Sequence, residues 1–265
     1  MKIKELTIFF LLAYAISWLL WSPLWLPFFG VQADAVWPLQ HGFGGLGPML
    51  AAFAATAIFD KKEEMARLWS SLFQWKPIFW LGLAVFSPFV FALLGGVMAH
   101  FSDGVFPDFS KIGRSGEFPQ MGVVGFLLYN IFFFGYGEEV GWRGFALPRL
   151  QKKYSALTAT LILSVFWAAW HLPLFAYRPG YASMDMAGAA GWFFSIVAGG
   201  ALFTWLFNGS RGSVLACALF HGLTDVVFLC DYGNDHMMQY IGMLVTLWGV
   251  AVLGAWGWRN LVPSE

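Results

Sequence analysis

The sequence places a small group of ionisable side chains inside long apolar stretches. They are Glu138, Glu139, Arg143, His171, His221 and Asp225. Carboxylates and imidazoles act as general acids and bases, and an apolar pocket makes a carboxylate a better base because burial disfavours its charged form. Together with groups that stabilise an oxyanion, such a set suits the hydrolysis of an amide bond. The same side chains are also suitable ligands for a divalent metal such as zinc, so metal assistance stays open.

The spacing of these residues indicates which of them share a helix face. Glu139 and Arg143 are four residues apart, so on a helix they can pair, whereas Glu138 points about 100° away and lacks that partner. His221 and Asp225 are also four apart. Each pair has a purely structural interpretation, as a charge-compensating pair or as two groups that satisfy each other. Their number favours function, because each ionisable group at membrane depth costs a few kcal/mol.

Composition indicates what surrounds these groups. Hydrophobic residues make up 59% of the 265-residue chain and charged residues only 11%, where soluble domains carry about 25%. We therefore expect an all-α, polytopic membrane protein with about eight transmembrane helices. The predicted spans are Leu6–Phe29, Gly42–Phe59, Ile78–His100, Met121 to about Leu150, Ala156–Tyr177, Met186–Phe207, Ser213–Cys230 and Gln239–Trp258. Spans two and seven are the shortest.

Basic residues predict the orientation of these spans. With a cytoplasmic N-terminus, twelve Lys and Arg fall in or beside inside segments and three in outside segments, as the positive-inside rule requires. We expect a multi-pass protein of the plasma (cell inner) membrane with both termini in the cytoplasm. The 15 basic residues balance 15 acidic ones, so no nucleic-acid partner is expected. The lipid bilayer is the predicted environment.

The predicted spans bring the ionisable groups to a similar depth. At about 1.5 Å per residue, Glu138, His171, His221 and Asp225 lie roughly 14 to 24 Å along their helices from the inner interface. They can therefore converge on an intramembrane catalytic cavity formed by helices four to seven. The connections are too short for a soluble core, so residues 1–265 are predicted to form a single transmembrane domain, with a protease core at about 121–230.

Three motifs in these spans resemble those of the CPBP intramembrane proteases, the CAAX-protease and bacteriocin-processing group that includes the Rce1-type prenyl proteases. Glu138-Glu139-Val140-Gly141-Trp142-Arg143 resembles their EExxxR motif. Trp167–His171 is similar to their FxxxH motif, with Trp in place of Phe, and His221–Asp225 is similar to HxxxN/D. Asn208 is a candidate for an intervening asparagine, although its spacing differs. The resemblance covers about Phe132–Val226.

The resemblance implies roles for these residues and an eight-helix bundle with a cavity open to the cytosol and the lipid. Glu138 would activate water and His171 would help to hold it, while His221 and Asp225 would lie near the oxyanion. The residues Glu139, Arg143, Trp167 and Asn208 would support the site. Asp225 stands where Rce1-type members have Asn, so it must be protonated, orient His221 or favour a metal. A glutamate-type mechanism without a cofactor is favoured, and a zinc site would use Glu138, His171, His221 and Asp225.

The leading hypothesis is therefore an intramembrane endopeptidase, a CAAX-type peptide hydrolase that acts on a membrane protein or a lipid-anchored peptide. A proton-coupled transporter is an alternative, because buried Glu and His also form proton relays. A catalytically silent immunity or scaffold member of the same family is another. The sequence defines neither the natural substrate, including whether it is prenylated, nor the oligomeric state.

Overall fold

The computed structural model describes residues 3–33, 36–59, 62–234 and 236–262. All regular secondary structure in these ranges is helical. The first half contains α1 (Ile3–Leu20), α2 (Ser22–Trp25) with a 3-10 turn at Leu26–Phe29, α3 (Gln40–Gly45), α4 (Gly47–Ile58), α5 (Lys62–Ser71) and α6 (Ile78–Asp103). After a 3-10 turn at Phe109–Lys111 follow α7 (Val123–Gln151), α8 (Ala156–Trp170), α9 (Leu174–Tyr177), α10 (Pro179–Ala182), α11 (Met186–Gly209), α12 (Val214–Leu229) and α13 (Met237–Trp256).

The long helices make this an all-α, polytopic membrane protein, as the composition predicts. In the described ranges, five helices are long and apolar enough to cross a bilayer, and the pair α1–α2, bent by 57°, makes a sixth if it is one span. The other two predicted spans are the short ones. The second is divided into α3 and α4 at Leu46, and the seventh, α12, has 16 residues. The count of eight therefore stays a prediction.

Side-chain caps fix the starts of three helices that line the site. Ser155, Asp185 and Ser213 precede α8, α11 and α12, and each side-chain oxygen accepts a hydrogen bond from a backbone N–H in the first helical turn. Such caps satisfy donors that a helix start leaves open. Each helix therefore begins at a defined residue, which fixes the register of the side chains that follow.

The connections between helices gather at two opposite ends of the bundle. At one end, which we call the basic end, Arg149 lies 3.3 Å from Glu5 and 3.4 Å from Glu64, and Asn208 donates to the carbonyl of Asn260. At the other, which we call the acidic end, the chain contacts join residues 103–117 to residues 178 and 231–236. These contacts are Asp108 N–H to Tyr232 O, Asp231 N–H to Arg114 O, Arg178 with Glu117, and His236 with Asp103.

Close packing joins α7 to α12, the two helices with most of the ionisable groups. A Cβ on Gly135 would lie 2.3 Å from the carbonyl oxygen of Ala218, and one on Gly222 would lie 2.5 Å from the Cα of Ile131. Only glycine permits such an approach, and small residues are the usual means by which membrane helices pack closely. As a result, side chains of α7 reach those of α12 directly.

Candidate active site

Glu138 lies in the middle of α7, in a part of the helix with an altered winding. Asn130–Tyr136 and Val140–Ala146 form wider π-helical turns on either side of Gly137–Glu139. Such turns are rare and frequent at functional sites. The helix continues without a break through Gly141.

The carboxylate of Glu138 is buried and held on one oxygen by two indoles. Oε2 accepts hydrogen bonds from Trp142 Nε1 at 3.2 Å and from Trp167 Nε1 at 2.7 Å. Glu138 is 3% exposed, and within the described part of the chain its Oε1 takes part in no hydrogen bond. The expectation that Glu138 lacks an ionic partner agrees with this geometry. It is not free, however, because two neutral donors fix its orientation.

Glu139 takes part in a buried network of hydrogen bonds and ion pairs. Its Oε1 lies 2.9 Å from Arg143 NH1, which confirms the predicted pairing, and 2.8 Å from His221 Nδ1 on α12. The guanidinium of Arg143 lies over the rings of Trp167 and Phe203, at 4.5 and 4.2 Å from their centroids. Glu139 thus neutralises a buried cation and orients an imidazole at the same time.

The position of His221 bears on the structural alternative, in which His221 and Asp225 satisfy each other. His221 Nε2 lies 3.8 Å from Asp225 Oδ2, which is within ion-pair distance but too long for a hydrogen bond. The carboxylate that orients His221 is Glu139, on another helix. Sequence spacing could not show this, because the contact joins residues 82 positions apart.

His171 follows the last residue of α8 and is held by its own backbone. Its Nδ1 lies 2.7 Å from the carbonyl oxygen of Trp167. A carbonyl only accepts hydrogen bonds, so Nδ1 carries the proton and Nε2 of the neutral ring keeps its lone pair. Pro173 follows the end of this helix, and α9 begins at Leu174. The rings of Tyr181 and Trp192 pack around the imidazole.

The four predicted catalytic residues line one cavity of about 430 Å³. They are Glu138, His171, His221 and Asp225. The cavity has walls from α7, α8, α11 and α12, which correspond to predicted helices four to seven, and also from α13, α3 and Trp21. Helices outside the predicted core therefore complete it. Most of its other lining side chains are apolar or aromatic.

One expectation about a supporting residue is corrected. Asn208 does not reach the cavity, because it lies at the basic end, where it accepts from Gln151 and donates to Asn260. His41, which was not among the predicted site residues, lines the cavity, and its Nδ1 lies 2.8 Å from the hydroxyl of Tyr177. Of the predicted supporting residues, Trp167 reaches both Glu138 and the cavity.

Trp142 contacts Glu138 and was not predicted individually as a site residue. Trp142 lies four residues after Glu138, the spacing that places two side chains on the same helix face. That spacing could have identified it. No comparable signal exists for His41, which is brought to the cavity by contacts between distant parts of the chain.

The arrangement of the possible ligands does not favour a metal site. Within residues 3–33, 36–59, 62–234 and 236–262, no three His, Cys, Asp or Glu side chains are grouped closely enough to hold a metal ion. His171 also uses Nδ1 for a backbone hydrogen bond and His221 uses Nδ1 for Glu139. In each of these two rings, Nε2 is the nitrogen that remains available to a ligand.

Two comparisons with known proteins agree with the site. Residues 120–227 match the family described as Type II CAAX prenyl endopeptidase Rce1-like. The chain is also 32% identical over 93 residues to CAAX prenyl protease 2 of Methanococcus maripaludis, an alignment that covers 34% of this chain and 34% of that relative. The chain thus matches about a third of the length of this curated relative. The residues matched by the family model contain Glu138, His171, His221 and Asp225, so the part of the chain that carries the candidate site is similar to an Rce1-like CAAX prenyl endopeptidase.

Proposed function

We propose that this protein is an intramembrane endopeptidase that hydrolyses a peptide bond of a membrane-associated substrate, with water activated by Glu138. The observation that carries the proposal is the convergence of two carboxylates and two imidazoles on one cavity, with Oε1 of Glu138 uncommitted. The similarity to a CAAX prenyl protease makes a prenylated C-terminal peptide the first substrate to test.

In the proposed reaction, Glu138 takes a proton from water while the water oxygen attacks the carbonyl carbon. Nε2 of His171 accepts a hydrogen bond from the second O–H of that water, which stays on the attacking oxygen, since Nδ1 is engaged with the carbonyl of Trp167. Glu138 then gives its proton to the leaving nitrogen as the carbon–nitrogen bond breaks. A carboxylate within hydrogen-bond reach of the reacting water is the geometry that a general base requires.

The oxyanion that forms on the carbonyl oxygen needs donors on the other wall. We assign this role to His221 in its doubly protonated form, which donates from Nδ1 to Glu139 and from Nε2 into the cavity. Asp225 lines the same wall and contributes a donor when it is protonated. Donors fixed before the reaction stabilise such charge strongly, because they need not reorganise.

The direct test uses purified protein in detergent and an internally quenched, farnesylated peptide with a CAAX-type C-terminus. We expect cleavage by the wild type and its loss in Glu138→Gln, which keeps the shape and one acceptor oxygen for the indoles. Glu64→Gln at the basic end is the control for removing a carboxylate elsewhere, because Glu64 lies outside the cavity. Equal cleavage by wild type and Glu138→Gln would refute the proposal.

Two further measurements separate the alternatives. Activity that survives a zinc chelator, with no stoichiometric metal in the purified protein, is expected of the glutamate mechanism. Loss of activity that zinc restores would assign a metal-assisted one. The alternatives apply if cleavage is absent or does not depend on Glu138. Solute flux into proteoliposomes driven by a pH gradient would then indicate a transporter. Unchanged physiology of cells that carry Glu138→Ala would instead indicate a silent immunity or scaffold protein.

The natural substrate can be sought without prior assumption. Membrane proteins of wild-type and Glu138→Gln cells are compared for a precursor that persists only in the variant. Such a precursor would give the cleavage site directly and show whether the substrate carries a lipid. We propose the plasma membrane as the location of this reaction, with both termini of the protein in the cytoplasm.

A further inference from the structure

One side chain that is always cationic lines the cavity. Among the described residues that line it, Arg178 is the only Lys or Arg, whereas carboxylates come from Glu117, Glu138 and Asp225. The guanidinium of arginine does not lose its proton in proteins. A substrate group with a negative charge therefore finds its one permanently charged partner at Arg178 and like charges at the carboxylates.

The guanidinium of Arg178 is only partly engaged. Its NH1 lies 3.1 Å from each carboxylate oxygen of Glu117, and within the described part of the chain its Nε and NH2 take part in no hydrogen bond or ion pair. A guanidinium carries five N–H donors in a planar fork, and two of them can bind one carboxylate through parallel hydrogen bonds. The edge formed by Nε and NH2 is therefore available to a second carboxylate. Both side chains are partly exposed, Arg178 by 21% and Glu117 by 39%, so the pair is not sealed in the core.

Backbone hydrogen bonds hold Arg178 in a fixed position relative to His171. The N–H of Arg178 donates to the carbonyl of Leu174 at 2.8 Å, and its own carbonyl accepts from Tyr181 and Ala182 at 3.0 and 2.8 Å. The ring of Tyr181 stacks on His171, with 6.1 Å between the ring centroids. Arg178 follows His171 by seven residues, or about 10 Å at the helical rise of 1.5 Å per residue. An extended peptide covers this distance in about three residues, so a group bound at Arg178 lies close in sequence to a peptide bond attacked beside His171.

We infer that Arg178 is a specificity-determining residue, which binds the free C-terminal α-carboxylate of the substrate through its Nε and NH2. The planar fork fits a carboxylate, and the α-carboxylate is the one anion that a short apolar peptide always carries. Binding at this edge leaves the contact between NH1 and Glu117 in place. The inference rests on the proposed function for the reaction itself and adds to it the end of the peptide that the cavity recognises.

The test compares two farnesylated peptides of one sequence, one ending in the free acid and one in the amide, each with its quencher on a side chain. We expect the wild type to cleave the acid with a kcat/KM about tenfold or more above that of the amide, the effect of a hydrogen bond to a charged group. In Arg178→Gln the value for the acid should fall to that for the amide, and the amide should be cleaved as before. Arg178→Lys, which keeps the charge but not the fork, should give an intermediate preference.

Two variants separate substrate binding from a merely structural role of Arg178. Glu117→Gln removes its partner and should keep the preference for the acid, whereas a structural pair would make both substitutions slow the acid and the amide alike. Arg114→Gln removes an exposed arginine that does not line the cavity, and it should change neither rate. A wild type that cleaves acid and amide equally, or an Arg178→Gln variant that loses both activities equally, would overturn the inference.

A binding measurement distinguishes this inference from the proposed function. Glu138→Gln protein, with and without Arg178→Gln, is titrated with fluorescent acid and amide peptides at a fixed detergent concentration, and anisotropy gives the Kd. We expect the acid to bind about tenfold more tightly than the amide only where Arg178 is present. If binding follows this pattern but the wild type cleaves neither peptide, the proposed function is refuted and the role of Arg178 stands. If cleavage requires Glu138 but ignores the terminal charge, the inference is refuted and the proposed function stands.

Discussion

Replacing Trp167 by Phe tests whether an indole N–H positions the proposed base. The bond from Trp167 Nε1 to Glu138 Oε2 is 2.7 Å long and is the shorter of the two that hold this oxygen. Hydrogen bonds to charged groups contribute about 1.5–3 kcal/mol. If that stabilisation is lost in the transition state, kcat falls roughly 10- to 150-fold, at about 1.36 kcal/mol per tenfold. KM should change little, because the bond is made to the enzyme's own carboxylate.

Trp205→Phe is the matched control for this substitution. Trp205 is 7% exposed and Trp167 6%, so both changes remove the same atoms from a buried position. In the described structure, Trp205 Nε1 has no hydrogen-bond partner, and Trp205 does not line the cavity. The assay is turnover of the quenched farnesylated peptide, with a thermal melt of each variant in detergent. If both variants lose similar stability and cleave at the same rate, Trp167 does not position Glu138 and the reasoning is refuted.

Three further predictions follow from the same contacts. Glu139→Gln should lower the free energy of unfolding by about 3–5 kcal/mol and should also lower activity, because it leaves the buried Arg143 uncompensated. Glu138→Gln should lose activity with little change in melting temperature. Equal melting temperatures for the two variants would contradict this prediction. Gly222→Ala should cost about 1–3 kcal/mol in a thermal melt by forcing α7 and α12 apart, while Gly191→Ala, with open space around its Cβ, should cost nothing. Asp225→Asn should keep peptide cleavage, because its amide can donate to the oxyanion, and Asp225→Leu should lose it; the opposite order would show that the carboxylate itself is needed.

Much of the fold follows from properties that local sequence expresses. Long apolar runs without charge give α6, α11 and α13, because only a helix satisfies its own backbone in lipid. Predictions from the sequence are weak where contacts between distant segments determine the local structure. The segment 40–58 divides at Leu46, just before Pro48 in the first turn of α4, and α4 packs so closely on α7 that a Cβ on Gly141 would lie 2.6 Å from Pro48. Such an approach depends on both helices, and no window of one sequence segment contains it.

The candidate site also contains contacts that the sequence predicts and contacts that it does not. Pairs within one helix were predictable from a spacing of four residues, as for Glu139 with Arg143, and the same spacing joins Trp142 to Glu138. Contacts between helices were not predictable, so the orientation of His221 by Glu139 and the approach of His41 to the cavity appear only in the structure. Asn208 was misplaced for a related reason. Its position in the sequence, between the second and third motifs, fits the family pattern, but its position along α11 places it at the basic end of the bundle.

The adjacent residues Glu138 and Glu139 differ in the kind of partner that holds them, and this difference favours Glu138 as the proposed base. Glu139 accepts on a single oxygen from a guanidinium and an imidazole, so its protonation would weaken an ion pair and release His221. Glu138 accepts only from neutral indoles, which leave its protonation state free to change during a reaction. A general base must gain and lose a proton in each turnover without dismantling the site. Glu138 meets that condition. Glu139 is suited to keep His221, on the opposite wall of the cavity, in place while Glu138 gains and loses its proton.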